Sequence, residues 1–384
     1  MTFRERIRKI FNKEKINKIV FQPRIYYWYY GNGLQNKVPE DYTDTSVIDS
    51  LNKRFQPYKE VPEKYRSKSL INIYDDLNIS PRYPMEVLGI NVFRVTEKKN
   101  ACVAVESIHG KDEQTITITK TPIGSLKTVR KNERIAEYPV KTVEDIKTMT
   151  YILEATETKV EFDLEGFKIA GRIFGENGVV QAWIPVRSPL QTLIIDYMGF
   201  ENTIYVLNDY PDEVENLLKT IEKPYDEIFD VILDSPVEIL NFGENIDANL
   251  TSPPIFGKYL IPYYKKRVKQ IHQSGKFCHI HMDGSLKPLL PFINKSGFDG
   301  IEAATPLPQG DVTLEELKDA LGDTILLDGI PAILFTPQYS YKDLEEFTLK
   351  ILKMFSPNLI LGVSDEVPPS ADIEKIRFVS EIVQ

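Results

Sequence analysis

The chain has 384 residues, 42% of them hydrophobic, and a formal net charge of -9. That length and apolar content suffice to bury a full core, which excludes a disordered polypeptide, and no Lys/Arg run stands clear of the acidic background, which excludes a nucleic-acid surface. There is no run of about 18 apolar residues and the chain opens on the charged stretch Met1-Thr2-Phe3-Arg4-Glu5-Arg6-Ile7-Arg8, so the expectation is a cytoplasmic protein without a membrane span or signal segment.

Residues 1 to 17 carry Ile7, Ile10 and Phe11 at helical spacing and predict an amphipathic helix, with a short strand over 18 to 25 behind it. Tyr26-Tyr27-Trp28-Tyr29-Tyr30 then crowds five aromatics beside Arg24. This cluster is either plain core or the wall of a pocket for an aromatic or methylated ligand, with Tyr26 and Trp28 as the contacts. From 86 to 140 short β-rich runs (Ala101 to Val105, Thr115 to Thr119, Leu126 to Val129) are separated by turn signals such as Thr121-Pro122-Ile123-Gly124, and an antiparallel insertion is expected. From Lys141 onward helix and strand alternate. Helices are predicted over 143–154, 160–174, 255–274 and 312–321, the last opened by the capping box Thr313-Leu314-Glu315-Glu316. Strands are predicted over 178–185, 237–242, 276–282, 300–304, 324–327 and 359–363. Alternation of this kind argues for a parallel α/β fold.

Two of the four histidines lie in Lys276-Phe277-Cys278-His279-Ile280-His281-Met282-Asp283-Gly284. Side chains two apart share a strand face, so His279, His281 and Asp283 project to one side and Cys278, Ile280 and Met282 to the other. The bland alternative is a satisfied core histidine and a helix-capping aspartate; three such residues on one face at a strand's C-terminal end point instead to a site. Cys102 and Cys278 are too few and too distant for a disulfide framework, which leaves any metal to His, Asp and Glu. In chain order the strand ends offer Arg24, Arg187, Glu244, His281 with Asp283, Glu302, Asp328 and Asp365. In a (β/α)8 barrel such ends converge on one mouth. Acids after strands also serve as helix N-caps, and part of this set is expected to do only that. The fold expected is one (β/α)8 TIM barrel over 1–384, with the β-rich insertion at 86–140.

The run Trp183-Ile184-Pro185-Val186-Arg187-Ser188-Pro189-Leu190, followed by Tyr197-Met198-Gly199-Phe200-Glu201-Asn202 and Asn208-Asp209-Tyr210-Pro211, resembles the uroporphyrinogen decarboxylase superfamily. So do His281-Met282-Asp283-Gly284, Pro308-Gln309-Gly310-Asp311, Leu326-Leu327-Asp328-Gly329-Ile330 and Asp365-Glu366-Val367-Pro368-Pro369, in that superfamily's order. The resemblance covers roughly residues 1 to 30 and 140 to 384 and implies the barrel fold. Its true decarboxylases grip a tetrapyrrole through an arginine-rich N-terminal motif; here Pro23-Arg24-Ile25-Tyr26-Tyr27-Trp28 offers one arginine, a poor grip for many carboxylates. Its corrinoid-linked methyltransferases bind zinc through a His-x-Cys-Gly motif and a later cysteine. His281 falls on that histidine, while Asp283 and Asp365 stand where the cysteines would be.

Histidine with carboxylates makes a harder site, suited to zinc or another divalent ion acting on oxygen. The resemblance therefore implies methyl transfer between a small methylated substrate, an ether or amine sooner than a thiol, and a corrinoid (cobalamin) on a carrier protein. The expected metal ligands are His281 and Glu244, then Asp365, Asp283 and His279, with Asn245 and Asp247 as substitutes for Glu244. His281, Asp283, Glu244 and Arg24 are the expected catalytic residues, and Tyr26, Trp28, Trp183, Arg187, Glu302 and Asp328 the expected substrate contacts. A homodimer is a further expectation. Two alternatives stay open: a decarboxylase or lyase for a small carboxylate, using the same groups as acid and base, and a non-catalytic barrel that binds a corrinoid or small ligand.

Overall fold

The computed structural model describes residues 1–110, 114–132 and 134–383. Its strands are, in chain order, β1 (Val20–Phe21), β2 (Phe93–Lys99), β3 (Ala104–His109), β4 (Gln114–Thr121), β5 (Gly124–Lys131), β6 (Arg134–Glu137), β7 (Thr156–Phe162), β8 (Gln181–Trp183), β9 (Ile239–Ile246), β10 (Phe277–Met282), β11 (Gly300–Glu302), β12 (Ile325–Pro331) and β13 (Leu359–Ser364). The chain divides into two bodies: Met1–Phe93, Asp163–Ile184 and Pro236–Gln384 form the first, Arg94–Phe162 and Pro185–Ser235 the second.

The first body is a (β/α)8 barrel. Seven strands run in the order β1-β13-β12-β11-β10-β9-β8, every neighbouring pair parallel. The eighth stave is the segment Ser80-Pro81-Arg82. Ser80 N donates to Phe21 O on β1 at 2.9 Å, and Gln181 N on β8 donates to Arg82 O at 3.2 Å. Pro81 has no N–H to give, so this stave is pinned by few bonds. The interior strands are apolar runs, as burial on both faces demands; every residue of β12 and of β13 is buried.

The N-terminal helix floors the barrel. It spans Phe3–Phe11 and starts at a capping box in which Thr2 and Glu5 satisfy each other's backbone N–H. Ile7, Ile10 and Phe11 pack on Val20, Val179, Ile239, Ile325 and Ile360, where the strands begin. The helix is thus shorter than the 1–17 expected, and the strand after it shrinks from 18–25 to β1. The aromatic run is helical, Tyr26–Gly31. Trp28 is fully enclosed and lies edge-on to Tyr65, with ring centroids 6.0 Å apart. Trp28 is core and not a substrate contact, because the helical turn carries it away from Tyr26.

The second body holds an antiparallel sheet in the order β3-β4-β5-β6 and the two-stranded sheet β2-β7. The antiparallel character expected for 86–140 is present, but the body takes in far more of the chain. One predicted element is corrected here: 160–162 end strand β7, and the helix begins only at Leu164, where the Asp163 side chain caps Gly166 N at 2.8 Å. Among the described residues no helix is long and apolar enough to cross a membrane.

Candidate functional site

Residues at the C-terminal ends of the barrel staves meet in one ionic network. Its base is Arg82, on the closing stave. The fork reaches Glu302 Oε1 at 2.5 Å from Nη1 and Asp328 Oδ1 at 2.8 Å from Nη2, while Nε donates to Gln22 Oε1 at 3.0 Å. All three charged groups are buried, so the ion pairs hold one another's desolvation in check. Burial pushes the Asp328 carboxyl up to about 6, with Arg82 pulling against it. Asp328 sits at φ 81, a backbone strain of the kind that clusters at functional sites.

Glu302 collects donors from every side. Besides Arg82 it accepts from Tyr83 Oη at 2.8 Å, from Asn241 Nδ2 at 2.7 Å and from His281 Nδ1 at 3.0 Å. Burial alone would raise its pKa, but Arg24, His281 and Arg82 hold it well below the ordinary carboxylate range, so it stays ionised. Glu302 and Asp328 were expected to touch substrate. Both are enclosed, with their oxygens taken by protein donors, and they support the site from beneath.

His281 is the next layer. With Nδ1 committed to Glu302, its Nε2 is buried with no hydrogen-bond partner and lies 3.5 Å from Asp365 Oδ1. Burial disfavours its charged form, but Asp365 and Glu302 outweigh that and push it up to about 9. His281, Asp283 and Asp365 each present a donor atom within 4.8 Å of the others. The Asp283 carboxyl is raised by burial, with Asp365 and Asp247 adding repulsion. Gly284, at φ +64, is what admits Asp247: a Cβ there would stand 2.2 Å from Asp247 Oδ2.

Arg24 closes the network above. It pairs with Glu86 (Nη2 to Oε1, 2.5 Å), Asp365 (Nη1 to Oδ1, 2.9 Å) and Glu366 (Nη2 to Oε1, 3.1 Å), and Tyr26 Oη donates a short bond to Glu366. Its guanidinium carbon is 5.5 Å from the Tyr26 and Tyr83 ring centroids and 5.9 Å from that of Trp183. Burial pushes Glu86 up to about 7 against the pull of Arg24. Arg24 was expected to be catalytic; its donors go mainly to the protein's own carboxylates, which makes it the clamp on Asp365.

Of the residues expected here, the structure unites Arg24, Tyr26, Trp183, His281, Asp283, Glu302, Asp328 and Asp365. Two others, His279 and Glu244, are not part of the metal-type group. His279 sits two residues below His281, about 6.6 Å down the strand. There its Nε2 bonds Gln181 Oε1 at 3.1 Å, and burial lowers it to about 3, so it is a neutral interior group. Glu244 is buried where the β9–β10 register slips between Ile280 and Met282, and it is not part of the His281 group. Arg187 belongs to the second body, where its Nη1 pairs with Asp196 Oδ2 at 3.3 Å.

Arg82, Tyr83, Glu86, Asn241 and Glu366 escaped the sequence reading. Asn241 gave a signal, as a lone amide inside the apolar run Ile239-Leu240-Asn241-Phe242. Arg82 gave little, lying between Pro81 and Pro84.

The sequence model for uroporphyrinogen decarboxylase (URO-D) matches residues 125–384, and the chain belongs to that family. No curated protein matches it. Among solved structures it is similar to a methyltransferase from Methanosarcina mazei, at 11% identity and a TM-score of 0.56, over 100% of this chain and 99% of that one. A B12-independent methionine synthase from Shewanella sp. W3-18-1 also aligns, at 11% identity and a TM-score of 0.42, over 95% and 96% of the two chains.

Proposed function

We propose that the protein transfers a methyl group between a small methylated compound, an ether or amine sooner than a thiol, and a corrinoid carried by a partner protein. The observation that carries this reading is the His281 imidazole, locked at Nδ1 by Glu302 and presenting a buried, unpartnered Nε2 beside Asp283 and Asp365. That donor set fits a divalent cation: the carboxylate behind the histidine fixes the ligating tautomer, and two crowded carboxylates gain from a positive charge between them. His281, Asp283 and Asp365 would hold the ion, which when bound supplies Lewis acidity toward an oxygen or nitrogen.

The chain's own residues supply the rest. Arg24 fixes Asp365, and Arg82, Tyr83 and Asn241 fix Glu302 and thereby the ring of His281. Tyr26 and Trp183, both partly exposed, would frame an aromatic wall suited to an apolar methylated compound. As the carbon–oxygen bond of an ether breaks, the leaving oxygen needs a Lewis acid or a proton: with the ion bound, Asp283 would be one of its ligands and the ion would take that part, and without it the Asp283 carboxyl, raised by burial, would be the proton donor.

Family membership and the charge on His281 favour a second reading, decarboxylation of a small carboxylate with His281 protonating the carbon that loses carbon dioxide. Against it, the two guanidiniums of the site are already spent on the protein's carboxylates.

The deciding experiment mixes the protein with cob(I)alamin and a panel of methoxylated aromatics, methylated amines and thiols, and follows methylcobalamin optically. Transfer from an ether or amine, lost in His281→Ala by about a hundredfold or more, is the expected result. Carbon dioxide release from an acidic substrate without any methyl transfer would hand the site to the second reading.

A further inference from the structure

A second set of metal-ligating side chains lies at the floor end of the barrel, away from the mouth. Cys278 follows Phe277 at the start of β10, about 10 Å along the strand from His281. Alternation sends its side chain to the face opposite His279 and His281. There it meets His272, near the C-terminal end of the helix Ile261–Gln273, and Asp299, the residue before β11. His272 Nε2, Cys278 Sγ and an Asp299 carboxylate oxygen all lie within 4.8 Å of one another. The backbone holds this arrangement: Cys278 N donates to Asp299 Oδ2 at 2.8 Å, and Asp299 N donates to Cys278 O at 2.9 Å. His272 Nε2 lies 2.9 Å from the same carboxylate oxygen.

The three donors suit one class of ion. Thiolate, imidazole and carboxylate are the ligand types of zinc and its borderline-soft neighbours, whereas magnesium and calcium take oxygen. Ligand atoms around a tetrahedral zinc stand roughly 3.3–3.7 Å apart, so small side-chain shifts close this group on an ion: the His272–Asp299 contact opens slightly and the sulfur draws in. The charges also balance. The cleft beside His272 is lined by Lys265, Lys269 and Lys295, and Lys13 feels the Asp299 charge. These lysines would repel a bare cation, but thiolate and carboxylate together cancel a divalent ion, and the occupied group is neutral. Burial, with the Asp299 charge beside it, pushes the Cys278 thiol well up, and a cation at the sulfur reverses that. Cys278 is fully buried, while the His272 side chain is 41% exposed and gives an ion its way in.

We propose that His272, Cys278 and Asp299 form a second metal site, for zinc or a similar thiophilic divalent ion, with solvent as the fourth ligand. On binding, the thiol proton leaves to solvent, and the ion takes the place of the proton between His272 and Asp299. The site joins the end of one helix to the starts of β10 and β11, so its role is structural, a staple across the barrel floor. It shares no residue with the His281 group and stands independently of the methyl-transfer reading.

The probe is cobalt(II), titrated into the full chain carrying Cys102→Ser, so that Cys278 is the sole thiol. A thiolate ligand gives a near-ultraviolet sulfur-to-cobalt charge-transfer band, which a site of histidine and carboxylates does not. The band is expected to saturate, and to be displaced by zinc and not by magnesium. His272→Ala and Asp299→Asn each weaken cobalt by about tenfold or more at this band, Cys278→Ser abolishes it, and His281→Ala leaves it as it was. His272 is exposed, so His272→Ala folds and is decisive by itself should Cys278→Ser unfold. Absence of the band, its displacement by magnesium, unchanged affinity in His272→Ala or Asp299→Asn, or loss in a His281→Ala protein that circular dichroism shows to be folded would each overturn the assignment. What is left would then be a helix-end ion pair above a packing cysteine.

Discussion

Four donors converge on Glu302, and only one of them is His281, so a change at this carboxylate reads out how the histidine is held. In Glu302→Gln the new amide must turn its own N–H toward Arg82, Tyr83, Asn241 or His281, each of which is itself donating in this geometry. Zinc affinity measured by titration calorimetry is expected to fall 10- to 100-fold, the usual cost of removing a partner behind a ligating histidine. Unchanged affinity would mean that His281 is oriented by something else. Glu86 answers to pH instead. Its carboxyl is pushed from 4.5 to about 7, so the folded state holds a proton that the unfolded chain releases. The unfavourable contribution is absent below about pH 4.5, grows as pH rises, and is complete above about 7, where it reaches roughly 3 kcal/mol. Urea denaturation from pH 5 to 8 should show the wild type losing stability relative to Glu86→Gln; parallel curves would refute the assignment. His281 and Asp283 were legible in the sequence because strand alternation alone puts them on one face. Glu86 and Glu366 were not, since they gain their meaning from Arg24, and pairings between distant positions leave no local pattern.

At the scale of elements, periodicity served where an element is long and failed where it is short. The helix Leu314–Leu321 could be read from its capping box, which the structure shows with Thr313 and Glu316 bonded to each other's backbone. The stave Ser80-Pro81-Arg82 could not: three residues carry no period, and a proline argues against a strand. The helix Tyr26–Gly31 was missed for a different reason, as aromatic residues favour strands and only tertiary packing settles such a run. The floor helix lends itself to test. Phe11 is buried against Phe277, with ring centroids 5.5 Å apart, and truncating it opens a cavity under the strand ends. Phe11→Ala should cost about 3–5 kcal/mol by urea denaturation. A loss under about 1 kcal/mol would show that the floor collapses to fill the gap.

For the molecule as a whole, the division into two bodies was the least legible feature, because the second body is assembled from two chain segments with Asp163–Ile184 of the barrel between them. The β-rich runs betrayed the first segment; nothing local marks 185–235 as their companion. Within that body the helix Val143–Glu154 packs on Pro211–Glu222, and β7 packs on Tyr225–Asp234, so each segment supplies the other's core. A polypeptide of residues 94–162 alone is therefore expected to give a coil-like circular dichroism spectrum, and joining it to 185–235 should restore β and helical signal. A cooperative thermal transition from 94–162 by itself would contradict this.

The sparse bonding of Ser80-Pro81-Arg82 has a bearing on how the barrel breathes. A wall held by regular ladders opens only when much of the body unfolds, but a seam with few ladder bonds opens at lower cost. The amides of Ser80 and Gln181 would then trade hydrogen for deuterium ahead of those on β12 and β13. Arg82 rides on that seam while it clamps Glu302 and Asp328. Each opening would slacken the carboxylate that aims His281, which ties the wall's most easily parted join to the site's most exacting geometry.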